Sequence, residues 1–246
     1  MLDLIVVNHN TARMTAECLA SLVRHTETPY RLIVVDNAST DGSPAFLASR
    51  FPQATILVNA VNEGYGKACN AGARAGEGEH LIFLNSDVLA LPGWDRPLLE
   101  CLESDERIAA VGPKLVTLDG RIAAGGVTGT NAHPVLSHFG EPDQGQCDRR
   151  FDAVSLCGAA FMIKRRLIPV LGLFDERYPF YFEETDWCYN AREKGYRLVY
   201  CPEAKMIHHL GQTVRKTGKA AAYFQYAERL FKEKWRHVMD DPRYYG

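Results

Sequence analysis

The chain has 246 residues, of which 46% are hydrophobic and 24% are charged, and its formal net charge is −2 at pH 7. This length and apolar content are sufficient for one large domain with its own hydrophobic core. A chain so close to neutral has no broad positive field, so its composition argues against nucleic acid as a partner.

The cysteines and the N-terminal segment both predict a cytoplasmic protein. Seven cysteines occur with neither a CxxC pair nor a regular spacing, which favours reduced thiols in a protein core. The opening MLDLIVVNHN lacks the basic region, long apolar core and cleavage site of a signal peptide. No apolar run reaches the length needed to cross a bilayer.

Four short apolar runs in the first third of the chain predict β-strands. They are LIVV (4–7), LIVV (32–35), TILV (55–58) and LIFL (81–84). Continuously apolar runs rich in Val, Ile and Leu are typical of parallel strands buried on both faces. Helical patterns lie between them, with one apolar stripe from Ala12 to Val23 and a second helix expected over 43–50. This alternation predicts an α/β fold with right-handed crossovers.

Small polar residues follow each of the four runs. The segments are NHN, DNASTDG, NAVNEGYG and NSD, in chain order. Open α/β sheets bind their ligands at the carboxyl ends of the strands. We therefore expect residues 1–105 to form a nucleotide-binding half.

The remainder of the chain reads differently. It predicts strands with glycine turns over 108–129, a loop over about 125–150, a strand over 154–163, a short helix near 165–171 and a final helix over about 219–238. No flexible linker interrupts these elements. The sequence thus predicts a single domain over 1–246, with an acceptor half at 106–218 and a C-terminal helix and tail at 219–246.

Two common nucleotide fingerprints are missing. The chain has no GxxxxGK[ST] segment, which excludes a P-loop. The GYG at 64–66 begins a GxG pattern, but it follows the third strand and its third glycine position is Cys69. A dinucleotide fingerprint belongs after the first strand, so the sequence argues against a nicotinamide dehydrogenase.

The NSD segment at 85–87 directly follows the fourth predicted strand. A carboxylate at such a strand end can hold a divalent cation that bridges diphosphate oxygens. The alternative is an Asx turn that simply leads the chain out of the strand.

Seven ordered segments resemble those of family 2 glycosyltransferases, most closely the rhamnosyltransferase-like branch. They are LIVVNHN, LIVVDNASTDGS, NEGYGKACNAG, LIFLNSDVLALPGW, LCGAAFMIKRRLIPVLGLFDE, YFEETDWCYNAREKGYRL and HHLGQT, which together span roughly residues 3–235. The resemblance implies a GT-A fold, with a mixed, mostly parallel central sheet flanked by helices and a Rossmann-like nucleotide half.

For the donor, the resemblance implies roles for five residues of the first half. Asn8 and Asn10 would form the wall of the nucleotide pocket, and Asp36 would accept a hydrogen bond from N3–H of uracil or thymine. Lys67 and Asn70 would lie along the donor. The alternatives are strand-end turn chemistry for Asp36 and a solvent-exposed lysine at 67.

For a metal ion, Asn85, Ser86 and Asp87 match the DxD element of the family, except that Asn85 stands where the full motif has Asp. The HHLGQT segment implies that His208 is a metal ligand together with Asp87, and that Thr213 lies near the diphosphate. Mixed carboxylate and imidazole ligation suits Mg²⁺ or Mn²⁺. The alternative for His208 is a strand-end histidine satisfied by the backbone.

For catalysis, the resemblance assigns the general base to the second member of an acidic pair, which here is Glu184, with Glu183 as the alternative. The aromatic residues at 180–182 would partly desolvate the base and raise its pKa. The alternative is that these acidic residues only stabilise the start of a helix, where negative charge is favourable.

On the acceptor side, we expect Glu183 and Trp187. Trp187 offers either a face for sugar stacking or a core-packing indole. Asp186 is expected to orient the helix by pairing with Arg192.

These expectations combine into an inverting, metal-assisted sugar transfer from a nucleoside diphosphate to a hydroxyl of a glycan or lipid-linked glycan. The donor would be a dTDP- or UDP-sugar, and the branch favours rhamnose. The alternative is a non-catalytic protein that binds nucleotide sugars, which the Asn85 departure favours.

The C-terminal helix carries an apolar stripe at helical spacing, beside four basic residues at 229, 232, 234 and 236. The stripe consists of Tyr223, Phe224, Ala227, Leu230, Phe231 and Trp235. Such a helix either lies on the anionic inner face of a membrane or packs on the core of its own protein.

Overall fold

The first half of the chain folds into four parallel strands joined by helices. The computed structural model describes residues 1–130, 133–210 and 220–238. The elements of this half are β1 (Leu2–Asn8), α1 (Ala12–His25), β2 (Tyr30–Asp36), α2 (Ser43–Arg50), β3 (Thr55–Val58), α3 (Tyr65–Ala75) and β4 (His80–Asn85). Each strand and both helices expected from the apolar pattern are present, in parallel pairing β3–β2–β1–β4.

One property of β3 was predicted wrongly. The strand lies at the edge of the sheet, where Thr55 and Val58 are exposed rather than buried on both faces. An edge strand has a neighbour on one side only, and a periodicity pattern does not reveal a strand's place in the sheet.

The second half extends the same sheet. Its strands are β5 (Val88–Ala90), β6 (Ile108–Val116), β7 (Ile122–Ala124), β8 (Val127–Thr130), β9 (His133–Leu136), β10 (Phe151–Asp152), β11 (Ala160–Lys164) and β12 (Arg197–His208). Its helices are α4 (Asp95–Glu103), α5 (Ile168–Leu171), α6 (Glu183–Glu193) and α7 (Ala220–Lys234), with short 3₁₀ turns at Arg165–Leu167 and Arg236–Val238. The final helix therefore agrees with the predicted one to within a few residues.

The long sheet runs in the order β10–β12–β6–β11–β4–β1–β2–β3. Strand β11 is antiparallel to both of its neighbours, β4 and β6, whereas β12 is parallel to β6. The sheet is thus mixed and mostly parallel, as the sequence predicted. It is continuous across both halves of the chain.

Two segments differ from the prediction. The strand expected over 154–163 begins only at Ala160, because residues 154–159 turn toward α6, where Ser155 Oγ lies 3.5 Å from Thr185 Oγ1. The loop expected over 125–150 contains the two-stranded hairpin β8–β9, with Thr128 paired to Val135. Short strands outside the main core carry too few apolar residues to stand out in a pattern.

Helices cover both faces of the sheet. Alternate side chains of β1, β2 and β4 pack against α1, α2 and α4 on one face and against α3 and α6 on the other. Gly72 brings α3 close to the sheet, because a Cβ at this position would collide with the buried Ile5 side chain. All seven cysteines lie in the described part of the chain as free thiols, and only Cys157 is not fully buried.

Helix α7 packs on the core of its own protein. Ala227, Phe231 and Trp235 are buried against an aromatic cluster formed by Tyr178, Phe182 and Tyr189. The core-packing alternative is therefore confirmed for these three positions, while Phe224 remains 43% exposed. Among the described helices, none combines the length and apolar character required to traverse a bilayer.

Candidate active site

A cavity of about 210 Å³ lies at the carboxyl ends of β1, β2 and β4. Its walls come from Val7, His9, Asn37, Asn62, Glu63, Gly64, Tyr65, Asn85, Ser86, Asp87, Pro179, Phe180 and Tyr223. Polar segments that follow all four parallel strands thus meet at one place, where open α/β sheets bind ligands. Helix α7 and the segment before α6 close the other side.

Asn8 and Asp36 brace this edge from behind and do not line the cavity. The amide of Asn8 donates to Asp36 Oδ2 at 2.6 Å, and its carbonyl oxygen accepts from Thr15 Oγ1 at 2.6 Å. Asp36 Oδ1 accepts the N–H of Ser39 at 2.8 Å. Both side chains are fully buried. The expectation that Asn8 forms the pocket wall is therefore corrected, since its hydrogen-bonding groups are occupied within the protein.

The cavity wall instead contains His9 and Asn37, the residues that follow Asn8 and Asp36 in the chain. The sequence reasoning missed both. His9 Nδ1 donates to the carbonyl of Asn37 at 2.8 Å, since a carbonyl can only accept. The Asn37 side chain organises the loop after β3, donating to Asn62 Oδ1 at 2.9 Å and accepting from the N–H of Glu63 at 3.0 Å. Asn10, which the sequence placed in the pocket wall, does not line this cavity; it lies in the left-handed region at φ 54° and accepts from the N–H of Thr40 at 2.8 Å.

Of the two predicted donor residues on α3, neither lines the cavity. Lys67 is half-buried in the first turn of the helix. Asn70 is buried and holds the main chain of Phe174, donating to its carbonyl at 2.9 Å and accepting from its N–H at 3.0 Å. The structure therefore corrects Asn70 from a donor contact to a support for the segment that precedes the aromatic run. A position five residues after Tyr65 faces a different side of the helix.

Asp87 and His208 meet across the pairing of β5 with β12. Val88 pairs with His208, and the N–H of His209 donates to the carbonyl of Asp87 at 3.0 Å. This brings His208 Nε2 to 3.3 Å from Asp87 Oδ1. The approach lacks hydrogen-bond alignment, so the buried Nε2 atom has no hydrogen-bond partner.

These two residues fit a divalent cation. A buried imidazole nitrogen without a hydrogen bond, directed at a carboxylate, is a donor set that Mn²⁺ or Mg²⁺ accepts. The described residues contain no cluster of three or more His, Cys, Asp or Glu side chains suited to a metal. Further ligands of such a cation would be donor oxygens, water or the nearby Asn85. Thr213 lies outside the described residues.

Ser86 lies between the Asp87–His208 pair and the polar residues at the end of β1. Its hydroxyl is 3.3 Å from that of Thr11, which also donates to Asn8 Oδ1 at 3.0 Å. Ser86 is 4% exposed and contributes to the cavity wall. The NSD segment is therefore joined by hydrogen bonds to the end of β1.

The acidic pair sits in the first turn of α6 after an unusual backbone turn. Tyr181 and Phe182 both adopt left-handed conformations, at φ 68° and 66°. Two consecutive aromatic residues in this region are strained, and such strain is concentrated at functional sites. The turn directs Glu183 against α3, where a Cβ added to Gly66 would lie 3.5 Å from the Cβ of Glu183. It directs Glu184 against Gly158.

Gly158 makes the position of Glu184 possible. A Cβ at residue 158 would lie 3.0 Å from Glu184 Cδ, so only glycine permits this close approach. The N–H of Gly158 donates to the Glu184 carboxylate. On its other side, the Gly158 carbonyl accepts from the Tyr65 hydroxyl at 3.2 Å. The cavity-wall residue Tyr65 is thus connected to Glu184 through the main chain of one residue, Gly158.

The two carboxyl groups have different surroundings. Burial raises the pKa of Glu184, but hydrogen bonds from its own N–H, from Thr185 and from Gly158 oppose this rise. Burial and the charge of Glu184 raise the pKa of Glu183 well above its ordinary value, and its Oε2 atom is buried without a hydrogen bond. Glu184 is therefore the more acidic of the two carboxyl groups.

Two neighbouring residues on α6 are corrected. Trp187 is 2% exposed, packs edge-on against Phe161 at 5.3 Å and donates to the Gly172 carbonyl at 2.9 Å. It is a core residue and has no face available for sugar stacking. Asp186 pairs with Lys234 at 2.7 Å instead of with Arg192.

Cys157 is a further site residue that the sequence reasoning missed. Burial, together with the charges of Glu184 and Asp87, raises the pKa of its thiol to about 12. Cys157 directly precedes Gly158, the residue that packs against Glu184.

The fold and this site define an α/β protein with a ligand cavity at the ends of its parallel strands, and comparison with known proteins gives the family. The sequence profile of glycosyl transferase family 2 matches residues 3–170. Because this match covers most of the chain, the protein belongs to that family, and it is a glycosyltransferase.

Similar sequences agree with this assignment. N-acetylglucosaminyl-diphospho-decaprenol L-rhamnosyltransferase of Mycobacterium tuberculosis is 28% identical over 233 residues, which cover 85% of this chain and 76% of that protein. O-antigen biosynthesis protein RfbC of Myxococcus xanthus is 26% identical over 240 residues, covering 91% of this chain and 18% of that protein. The chain is thus rhamnosyltransferase-like in sequence.

Solved structures show the same GT-A type of fold. GalNAc-T7 with UDP, GalNAc and Mn²⁺ superposes with a TM-score of 0.69 at 19% identity, covering 85% of this chain and 43% of that one. The mannosyltransferase PcManGT from Pyrobaculum calidifontis with GDP-Man and Mn²⁺ gives 0.66 at 19% identity, covering 93% and 64%. This chain therefore spans less than two thirds of either structure.

Gly158→Ala tests the close approach of Gly158 to Glu184. The backbone at 158 is not in the left-handed region, so the added methyl acts only by displacing the carboxylate. The methyl would move the carboxylate by a few tenths of an ångström. Because a displacement of about 1 Å costs on the order of 100-fold in rate, we expect kcat to fall several-fold. The measurements are sugar transfer, with nucleotide affinity and the melting temperature as controls for folding. An unchanged kcat would contradict the proposed contact.

Proposed function

We propose that the protein is an inverting, metal-assisted glycosyltransferase that transfers a sugar from a nucleoside diphosphate to a hydroxyl of a glycan or lipid-linked glycan. One observation carries this proposal. Glu184 packs against Gly158, whose carbonyl accepts from the cavity-wall residue Tyr65, and Asp87 of the Asp87–His208 pair lines that same cavity.

In this proposal Glu184 is the general base. Its carboxylate takes the proton of the acceptor hydroxyl as the oxygen attacks the anomeric carbon, and the nucleoside diphosphate leaves from the opposite face. A single displacement of this kind inverts the anomeric configuration. Gly158 and Thr185 hold the carboxylate by N–H donation, while the protonated Glu183 adds no second negative charge beside it.

Asp87 and His208 would hold the divalent cation on the donor side. When bound, a divalent cation neutralises charge on the diphosphate leaving group. The buried, unpaired Nε2 of His208 supports this assignment, because a buried polar atom without a partner is costly to maintain for structure alone. Mn²⁺ in the two similar solved structures gives further support.

The substrate class rests on the similar proteins. The Mycobacterium tuberculosis relative is named for L-rhamnose transfer to N-acetylglucosaminyl-diphospho-decaprenol, a lipid-linked acceptor. We propose rhamnose as the sugar and a lipid-linked glycan as the acceptor for this chain. Both are consistent with an enzyme at the cytoplasmic face of a membrane.

A non-catalytic nucleotide-sugar binder is the second candidate, favoured by Asn85 at the first DxD position. An amide oxygen is a weaker cation ligand than a carboxylate. Such a protein would bind the donor and release no nucleoside diphosphate in the presence of acceptor, whereas the enzyme would turn over.

Glu184→Gln tests the base assignment. We expect transfer to slow by about 100-fold or more, because glutamine cannot accept the proton, while donor binding is retained. The matched control is Glu183→Gln, which replaces a protonated carboxyl with a neutral amide of similar shape and leaves most of the activity. The reverse pattern would move the base to Glu183, and equal activity in both variants would refute a base at this turn.

The pH profile gives an independent measure. A base acts only when deprotonated, so kcat/KM rises with pH through the pKa of Glu184 and is lost in acid. Because burial raises that pKa, the midpoint of the acid limb should lie above the value of about 4.3 for an unperturbed Glu. Glu183→Gln should keep this limb. A midpoint at or below the ordinary value would contradict a buried base.

A pyrimidine donor, dTDP- or UDP-linked, is the remaining part of the proposal. This part rests on the family resemblance, since Asp36 is buried behind the cavity wall and its carboxylate oxygens accept from Asn8 and Ser39. We expect UDP and dTDP with Mn²⁺ to raise the melting temperature more than GDP at equal concentration, since binding at 100 times Kd stabilises by about 2.7 kcal/mol. Tighter binding of GDP would contradict the pyrimidine assignment.

A further inference from the structure

Helix α7 is fastened at one end to α6 and contributes to the cavity at the other. Tyr223, near its N-terminus, lines the cavity together with Phe180 and Asp87. Lys234, its last residue, contacts the first turn of α6. The eleven residue steps from Tyr223 to Lys234 correspond to about 16 Å of helix. The helix therefore connects the acidic turn to the opposite wall of the cavity.

The fastening is a buried carboxylate with three donors. Asp186 Oδ2 accepts from Lys234 Nζ at 2.7 Å, and Oδ1 accepts from Trp235 Nε1 at 2.8 Å and from the Tyr178 hydroxyl at 3.1 Å. Asp186 is only 3% exposed. Lys234 also reaches Asp175 Oδ2 at 3.1 Å. Removing one partner of a buried, hydrogen-bonded charge leaves the other uncompensated, so this contact strongly favours one position of α7.

Aromatic packing continues this contact along the helix. Phe231 lies 5.0 Å from Tyr189 and 5.1 Å from Phe182, measured between ring centroids. About two turns nearer the cavity, Phe224 lies 5.5 Å from Tyr181 and 5.4 Å from Phe182. Tyr181 and Phe182 are the two left-handed residues that precede the acidic pair. The position of α7 and the shape of that turn are therefore set together.

We propose that α7 is a wall of the donor site, in which Tyr223 contacts the bound nucleoside diphosphate sugar and Asp186 is a positioning residue that acts through Lys234 and Trp235. This inference rests on the proposed function and adds to it a contact residue and the device that holds it. The Tyr223 ring faces the cavity that also presents Asn85 and Asp87, where the diphosphate would lie. A phenol offers both an apolar face and a hydroxyl donor to such a ligand.

The test is direct binding of UDP and of dTDP, each with Mn²⁺, to the full chain. The variants are Tyr223→Ala, Lys234→Met and Asp186→Asn. The matched control is Lys232→Met, because Lys232 lies on the same helix and pairs with Glu228 within it at 2.8 Å. We expect each of the three variants to weaken nucleotide binding about tenfold or more and the control to bind as the wild type does.

A KM-versus-kcat comparison separates this role from general destabilisation. Tyr223→Ala and Lys234→Met should raise the KM for the donor about tenfold, with kcat at saturating donor within about twofold of wild type. Tyr223→Ala should also keep the wild-type melting temperature, because Tyr223 is only half-buried. Lys234→Met probes the contact from the α7 side, so the test does not depend on Asp186→Asn folding.

Three outcomes would count against these ideas in different ways. Wild-type nucleotide affinity in Tyr223→Ala and Lys234→Met would overturn the inference, even if Asp186→Asn were weakened, because Asp186 would then act within α6 alone. A fall in kcat without a change in KM would overturn it as well. Failure of the wild type to bind either nucleotide would refute the proposed function itself.

Discussion

Burial of two adjacent carboxyl groups in the first turn of α6 is the constraint around which the rest of the site is arranged. An ionised carboxylate taken out of water costs several kcal/mol unless N–H groups or cations compensate it. Glu184 receives such donors from Thr185 and Gly158, whereas Glu183 Oε2 receives none. Two negative charges this close together are unfavourable, so one group keeps its proton, and the unequal hydrogen bonding decides which one.

The sheet brings the parts of the site together without a second domain. Strand β11 runs antiparallel between β4 and β6, so the loop that precedes it, with Gly158, emerges at the edge where the parallel strands end. Strand β12 extends past this edge and pairs with β5, which places His208 beside Asp87. Residues more than 100 positions apart are thus held by main-chain hydrogen bonds, and their relative positions follow from strand register.

The four parallel strands and the polar residues at their carboxyl ends were predictable, because strands inside a parallel sheet are apolar throughout and a ligand edge must then be polar. Which side of each helix faces the ligand cavity was not predictable from the sequence. Asn70 and Trp187 both lie in segments that resemble a family motif, yet one holds Phe174 and the other packs in the core. Which side of a helix meets the sheet depends on tertiary packing. His9 and Asn37 stood beside Asn8 and Asp36 in the polar segments, and only the pleat of the strand ends decides which of each pair faces the cavity.

Helix α6 is held from two directions. Its residues advance by 100° each, so Glu184 and Asp186 point about 200° apart around the axis. Glu184 faces Gly158, whose carbonyl accepts from Tyr65, while Asp186 faces α7, which carries Tyr223. Tyr65 and Tyr223 both line the cavity, so the first turn of α6 contacts the cavity wall through Gly158 on one side and through α7 on the other. Because the two contacts lie on nearly opposite sides of the helix, they hold different parts of the site. The contact with Gly158 fixes the carboxylate proposed as the base, and the contact with α7 fixes the cavity wall that carries Tyr223.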